Sequence, residues 1–247
     1  MSEEKMRKET LVVPRTALED AGFIPSELPN GYKYTRINNL ADLLRLFKVT
    51  RREGSYKERF GDEGVENNPS LQQVAMYGVV TKPDGRFLLY QRSSDLQQYH
   101  ESRLSGKVSI GIGGHMEPTD LSFAQSFYRE FDEEAQIFVD GALVNLRDVQ
   151  GKLDIRLMKS YVTIRPVGVI KDDSSDVGKV HFGVVCRVEA KPNVGDVDIQ
   201  VRVGDKEENV TSEYLTPDQY RARTQSGELT SESWADIVFH EELEQAA

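Results

Sequence analysis

Three glutamates, Glu130, Glu133 and Glu134, stand at i, i+3 and i+4 in the segment Arg129-Glu130-Phe131-Asp132-Glu133-Glu134. On an α-helix that spacing sets all three carboxylates on one flank. Clustered carboxylates repel one another, and a helix gains nothing from them by themselves. A hard divalent cation, Mg2+ or Mn2+, would remove the conflict by accepting oxygen ligands. The competing account is a solvated acidic face paired with nearby Lys or Arg. Two neighbours favour the cation. Arg129 directly precedes the cluster, where it could hold one carboxylate in a bidentate pair. Upstream, Gly111-Ile112-Gly113-Gly114 supplies glycines that let backbone approach a ligand closely.

The helix that must carry these groups is legible in its apolar residues. Ala124, Phe127, Tyr128, Phe131 and Ala135 recur at i, i+3, i+4, i+7 and i+11, one face of an α-helix. Pro118-Thr119-Asp120 precedes it, and Thr119 or Asp120 is expected to cap its N-terminus. Before it the pattern is that of strands. Residues 74–80 and 87–92 flank the turn residues Pro83-Asp84-Gly85, and a short strand at 108–112 runs into the glycines. After it come strand candidates at 161–169, 180–188 and 197–203, with a hairpin-like region around Gly151, then helical segments at 217–225 and 231–245. Further upstream, Asn39 is placed to cap a short amphipathic helix at 40–47, and the polar stretch 51–68 reads as a loop. Residues 1–70 show no chemistry. They form an expected N-terminal extension that packs on the main domain, residues 71–247, or mediates a homodimer. The order of elements predicts an α+β, layered α/β/α domain.

With these residues in view, the segment resembles the Nudix box. Gly113-Gly114-His115-Met116-Glu117-Pro118-Thr119-Asp120 followed by Arg129-Glu130-Phe131-Asp132-Glu133-Glu134 keeps the Arg-Glu-apolar-x-Glu-Glu heart of that signature. It departs in three places. Asp120 stands where the family has Glu, eight rather than seven residues separate it from Arg129, and Gln136 replaces the usual Gly before Ile137. The Gly-Ile-Gly-Gly-His opening is similar to that of a MutT-like group of predicted phosphoesterases in the superfamily.

The resemblance implies a Nudix-type α/β/α sandwich with a mixed sheet and Mg2+-dependent hydrolysis of a pyrophosphate bond in a nucleoside diphosphate derivative. It implies that Glu130, Glu133 and Glu134, with the carbonyl of Gly113, hold Mg2+ (or Mn2+), and that Arg129 orients a ligand glutamate. The general base is open between Glu133 and the distal acids Glu207 and Glu208. Arg92, at the end of the second strand, is open between a phosphate contact and an ion pair. His115 and His181 are open between structural and catalytic roles, and Trp234 is expected in the core. A degenerate Nudix domain that only binds nucleotide, or serves as a regulatory module, is the alternative. An isopentenyl-diphosphate-isomerase-like activity would need a Cys leading into the box, and Cys186 lies well after it.

Composition narrows the partners. A net charge of −10 works against long nucleic acids, which reward clustered Lys and Arg. It leaves room for a small phosphorylated substrate, such as a nucleotide derivative, held through cations. No apolar run approaches the roughly 20 residues of a membrane helix, so no membrane association is expected. The charged N-terminus does not resemble a signal peptide. Cys186, in the apolar run Val184-Val185-Cys186, is expected to be a buried, inert thiol. Together these features predict a cytoplasmic protein.

Overall fold

A computed structural model describes residues 9–60, 64–92, 104–191, 195–201 and 211–244. Along the chain the strands are β1 (Glu9–Pro14), β2 (Tyr32–Arg36), β3 (Ser55–Glu58), β4 (Leu71–Thr81), β5 (Phe87–Gln91), β6 (Val108–Ser109), β7 (Gly111–Ile112), β8 (Ala135–Val139), β9 (Ala142–Leu143), β10 (Val162–Asp172), β11 (His181–Ala190), β12 (Val197–Val201) and β13 (Ser212–Leu215). The α-helices are α1 (Arg15–Asp20), α2 (Leu40–Glu53), α3 (Phe123–Glu134), α4 (Ile155–Tyr161), α5 (Asp176–Lys179), α6 (Pro217–Gln225) and α7 (Ser233–Val238). This is the mixed α+β architecture expected of a Nudix fold. No helix among the described residues is long and apolar enough to cross a membrane.

Two compact units divide the chain, and each gathers segments distant in sequence. The first holds Met1–Tyr77, Gly114–Phe127 and Pro166–Val185. Within it β1 pairs antiparallel with β3 (Leu11 opposite Tyr56) and with the start of β4 (Val12 opposite Gln73). The end of β10 pairs antiparallel with β2, Ile170 opposite Tyr34. From Val74 to Tyr77 β4 is buried on both faces, which is why that part of its sequence is apolar without alternation. Val12, Val13, Leu18, Leu46, Val74, Met76, Phe182 and Val184 make its core. Asn39 caps α2 as its sequence predicts, its side chain accepting from the Asp42 amide at 3.1 Å.

The second unit holds Gly78–Gly113, Tyr128–Arg165 and Cys186–Ala247. Here β13 and β6 both pair antiparallel with β5, β7 pairs with the end of β4, and β12, β8 and β9 form a separate antiparallel sheet. Phe87, Tyr220 and Phe239 pack as an aromatic cluster with ring centroids 4.5–5.9 Å apart. That packing anchors α6, which a complete capping box at Thr216 and Gln219 starts. Cys186 is buried, and burial pushes its thiol up to about 12, as an inert core cysteine requires.

Several expectations need correction. The stretch 51–68 is not a plain loop: α2 continues to Glu53, β3 follows, and Val65–Asn67 form a 3-10 turn. The local polarity hid β3 because an edge strand that pairs on one side needs few apolar residues. Helix α3 starts later than expected, at Phe123, and Ser122 caps it by accepting from the Gln125 amide at 3.2 Å. Asp120 instead accepts from the Glu117 amide at 2.9 Å and closes the preceding turn. Ala124 is exposed, while Phe123 and Ser126 are buried in its place. The helix ends at Glu134 and passes straight into β8, with Gln136 opposite Gln200, so no left-handed glycine is needed there. The segment 231–245 is not one helix, since α7 gives way to a π turn over Phe239–Leu243.

Candidate functional site

Helix α3 positions the acidic cluster inside the second unit. Tyr128 and Phe131 are buried, and they turn the helix so that Glu130, next to Phe131, is only 7% exposed. Arg129 Nη1 donates to Glu130 Oε1 at 2.7 Å and to Glu133 Oε1 at 3.4 Å. One guanidinium therefore braces two of the three glutamates. Glu133 is the open member of the cluster, its side chain 48% exposed. Glu134 accepts from the Gly113 amide at 3.0 Å. Gly113 has φ of 143°, a conformation that L side chains rarely adopt, and this lets the amide face the carboxylate.

The electrostatics follow from this placement. Burial raises the Glu130 carboxyl above the ordinary carboxylate range, and the charge of Glu134 adds to the rise while Arg129 opposes it. Burial likewise raises Glu134, against the Gly113 hydrogen bond and the Arg92 charge, with Glu133 and Glu232 adding to it. Two neighbouring carboxyls that resist ionisation are an arrangement that a cation relieves.

Glu232, just ahead of α7, is a further member of this site, and its sequence does not announce it. It is buried, and its Oε1 accepts from the Ser109 hydroxyl at 2.5 Å. Its Oε2 accepts from Arg92 Nε at 3.0 Å. Backbone pairing brings it there: the Val108 amide donates to Thr230 O, and the Glu232 amide donates to Val108 O. Only this long-range pairing could have found Glu232, because no local periodicity links it to residues 92 or 109. Arg92, one of the open assignments, is thus held in a partly buried ion pair and lies over the Tyr90 ring at 5.4 Å.

Other sequence candidates fall elsewhere. Among the described residues, the group of three whose ligand atoms all lie within 4.8 Å of one another is Glu66, His115 and His181, in the first unit. Trp234 is partly buried rather than fully in the core. Glu207 and Glu208 lie outside the described residues.

The chain is similar to several known proteins. The NUDIX domain model matches residues 71–236. Protein YmaB of Bacillus subtilis (strain 168) is 33% identical over 211 residues, covering 83% of this chain and 84% of that protein. Among solved structures, Tm1382, assigned as a Nudix hydrolase, has a TM-score of 0.61 at 20% identity, covering 96% of this chain and 100% of the other. That likeness speaks for the fold alone. DR0079 from Deinococcus radiodurans has a TM-score of 0.47 at 14% identity, covering 83% and 97%.

Proposed function

The chain belongs to the Nudix family and is a hydrolase of that type, and on this premise we propose that it cleaves the pyrophosphate bond of a nucleoside diphosphate derivative in a Mg2+-dependent reaction. The observation that carries the reading is the cluster of carboxylates on one turn of α3: Glu130, 7% exposed and paired with Arg129, Glu134 accepting from the Gly113 amide, and the exposed Glu133 beside them. An all-oxygen, multiply charged donor set suits Mg2+, with Mn2+ as a substitute, rather than a softer metal. Glu130, Glu133 and Glu134, with the Gly113 carbonyl, are the residues that would hold it. A cation bound there supplies charge neutralisation at the diphosphate oxygens and lowers the pKa of a coordinated water.

The protein's own groups have separable tasks in this reading. The Gly113 amide fixes one oxygen of Glu134, so the carboxylate turns about a single anchored atom. Arg129 orients Glu130 and Glu133 from behind and does not touch substrate. Glu133 is the most exposed of the three, which makes it the group best placed to accept a proton from an attacking water. Arg92 serves as the counter-charge to Glu232 and Glu134 in the wall of the site rather than as a phosphate clamp.

The test is Mg2+-dependent product release from a panel of nucleoside diphosphate derivatives. Wild type should turn over at least one of them, and Glu133→Gln should lower kcat by two to three orders of magnitude with the fold intact. Wild type and Glu133→Gln binding nucleotide equally while both stay inactive would overturn this reading in favour of a nucleotide-binding or regulatory module.

A further inference from the structure

The first unit brings together three side chains that take no part in the glutamate site. Glu66 comes from the 3-10 turn, His115 from the segment after β7, and His181 from the first position of β11. His115 Nε2 and His181 Nε2 face each other at 2.8 Å. His181 and Glu66 are 5% and 8% exposed, and His115 is partly buried.

Two of the three groups are supported as metal ligands are. His181 Nδ1 lies 2.6 Å from the Val177 carbonyl oxygen, so Nδ1 carries a proton and Nε2 is the nitrogen left to donate a lone pair. Arg59 grips Glu66 from behind, with Nε at 3.1 Å and Nη2 at 2.7 Å from the same Oε1. A carbonyl behind a histidine and a charged donor behind a carboxylate are the supports that orient metal ligands and fix their protonation.

We propose that Glu66, His115 and His181 bind one Zn2+-class transition-metal ion, as a site separate from the glutamate cluster. Two imidazoles and one carboxylate select such an ion over Mg2+ or Ca2+, which prefer all-oxygen shells. Two nitrogens each about 2.0–2.1 Å from a tetrahedral ion stand about 3.3 Å apart. The present 2.8 Å is short of that by about half an ångström, a gap that small ring rotations close. The ligands are separated by 49 and 66 positions in the chain, so one ion ties together three remote segments. Binding energy at such a site is folding energy, because the unfolded chain holds no comparable cluster.

The experiment is a titration of EDTA-treated, dialysed protein with ZnCl2 and, separately, with CoCl2, both in saturating Mg2+ so that the glutamate cluster is occupied. Wild type should take up one equivalent of Zn2+ with sub-micromolar Kd, and at a 100-fold excess over Kd its Tm should rise by about 5–10 °C. Co2+ should develop the visible d–d bands of a four- or five-coordinate ion. His115→Gln and His181→Gln should each weaken Zn2+ binding at least 100-fold and abolish the Co2+ bands, whereas Glu133→Gln should keep both. The Co2+ spectrum needs only wild type, so it decides the matter even where a histidine variant fails to fold. A six-coordinate Co2+ spectrum in wild type, or Zn2+ binding that survives in both histidine variants, would overturn the proposal.

Discussion

Replacing Glu134 with Gln should make the metal-free protein more stable while it destroys activity. The structure buries this carboxylate beside Glu130, and burial pushes it up to about 7 from the ordinary 4.5. Between those values the unfolded chain has already released the proton that the folded chain still holds. Wild type therefore loses stability as pH rises from about 4.5 toward 7, and above that the full loss is present. At about 1.4 kcal/mol per pH unit the upper limit is about 3 kcal/mol. Coupling to Glu130 and relaxation around the ionised group reduce the expected gain in Glu134→Gln to about 1–2 kcal/mol at pH 8. The amide oxygen can still accept from Gly113, so the exchange removes charge without orphaning that donor. The assay is urea unfolding in EDTA at pH 4.5 and pH 8, comparing midpoints at constant m. The variant should match wild type at pH 4.5 and exceed it at pH 8. An equal gain at both pH values, or none at pH 8, would refute the account of a buried, charge-strained carboxylate.

Two further outcomes follow from other contacts. Arg129→Met should raise the Mg2+ concentration needed for half-maximal activity about tenfold, since the guanidinium orients Glu130 and Glu133; an unaltered Mg2+ requirement would remove Arg129 from that role. Lys171 is fully buried, and its Nζ lies 2.7 Å from Asp173 and 2.6 Å from the Gly178 carbonyl. Lys171→Met should therefore cost about 2–4 kcal/mol in urea unfolding, and a loss below about 1 kcal/mol would show that the surrounding carbonyls find other donors.

The parts of the site that were legible in the sequence are those set by short-range spacing. Glu130, Glu133 and Glu134 share a helix flank because 3.6 residues make a turn, and Phe127, Tyr128 and Phe131 bury the adjoining stripe in the fold as their period predicts. The Asn39 cap, the strands on either side of Pro83-Asp84-Gly85 and the buried Cys186 were equally readable, for the same local reasons. The misreadings share a cause. Ser122, Thr119 and Asp120 are all competent caps, and the choice of Ser122 depended on where the turn closed by Asp120 released the chain. β3 looked like loop because its partner β1 lies more than 40 residues upstream.

What the sequence by itself determined is a helix bearing a clustered carboxylate triad behind a glycine turn, and with it the Nudix family. Local periodicity and backbone conformational preference are enough for that. Tertiary structure alone decided that Arg92 is committed to Glu232, that Ser109 holds the same carboxylate, and that Glu66, His115 and His181 converge in the first unit. Those groups meet through strand pairing and chain return across long sequence separations, and no local pattern of residues encodes which remote side chains will share a few ångströms.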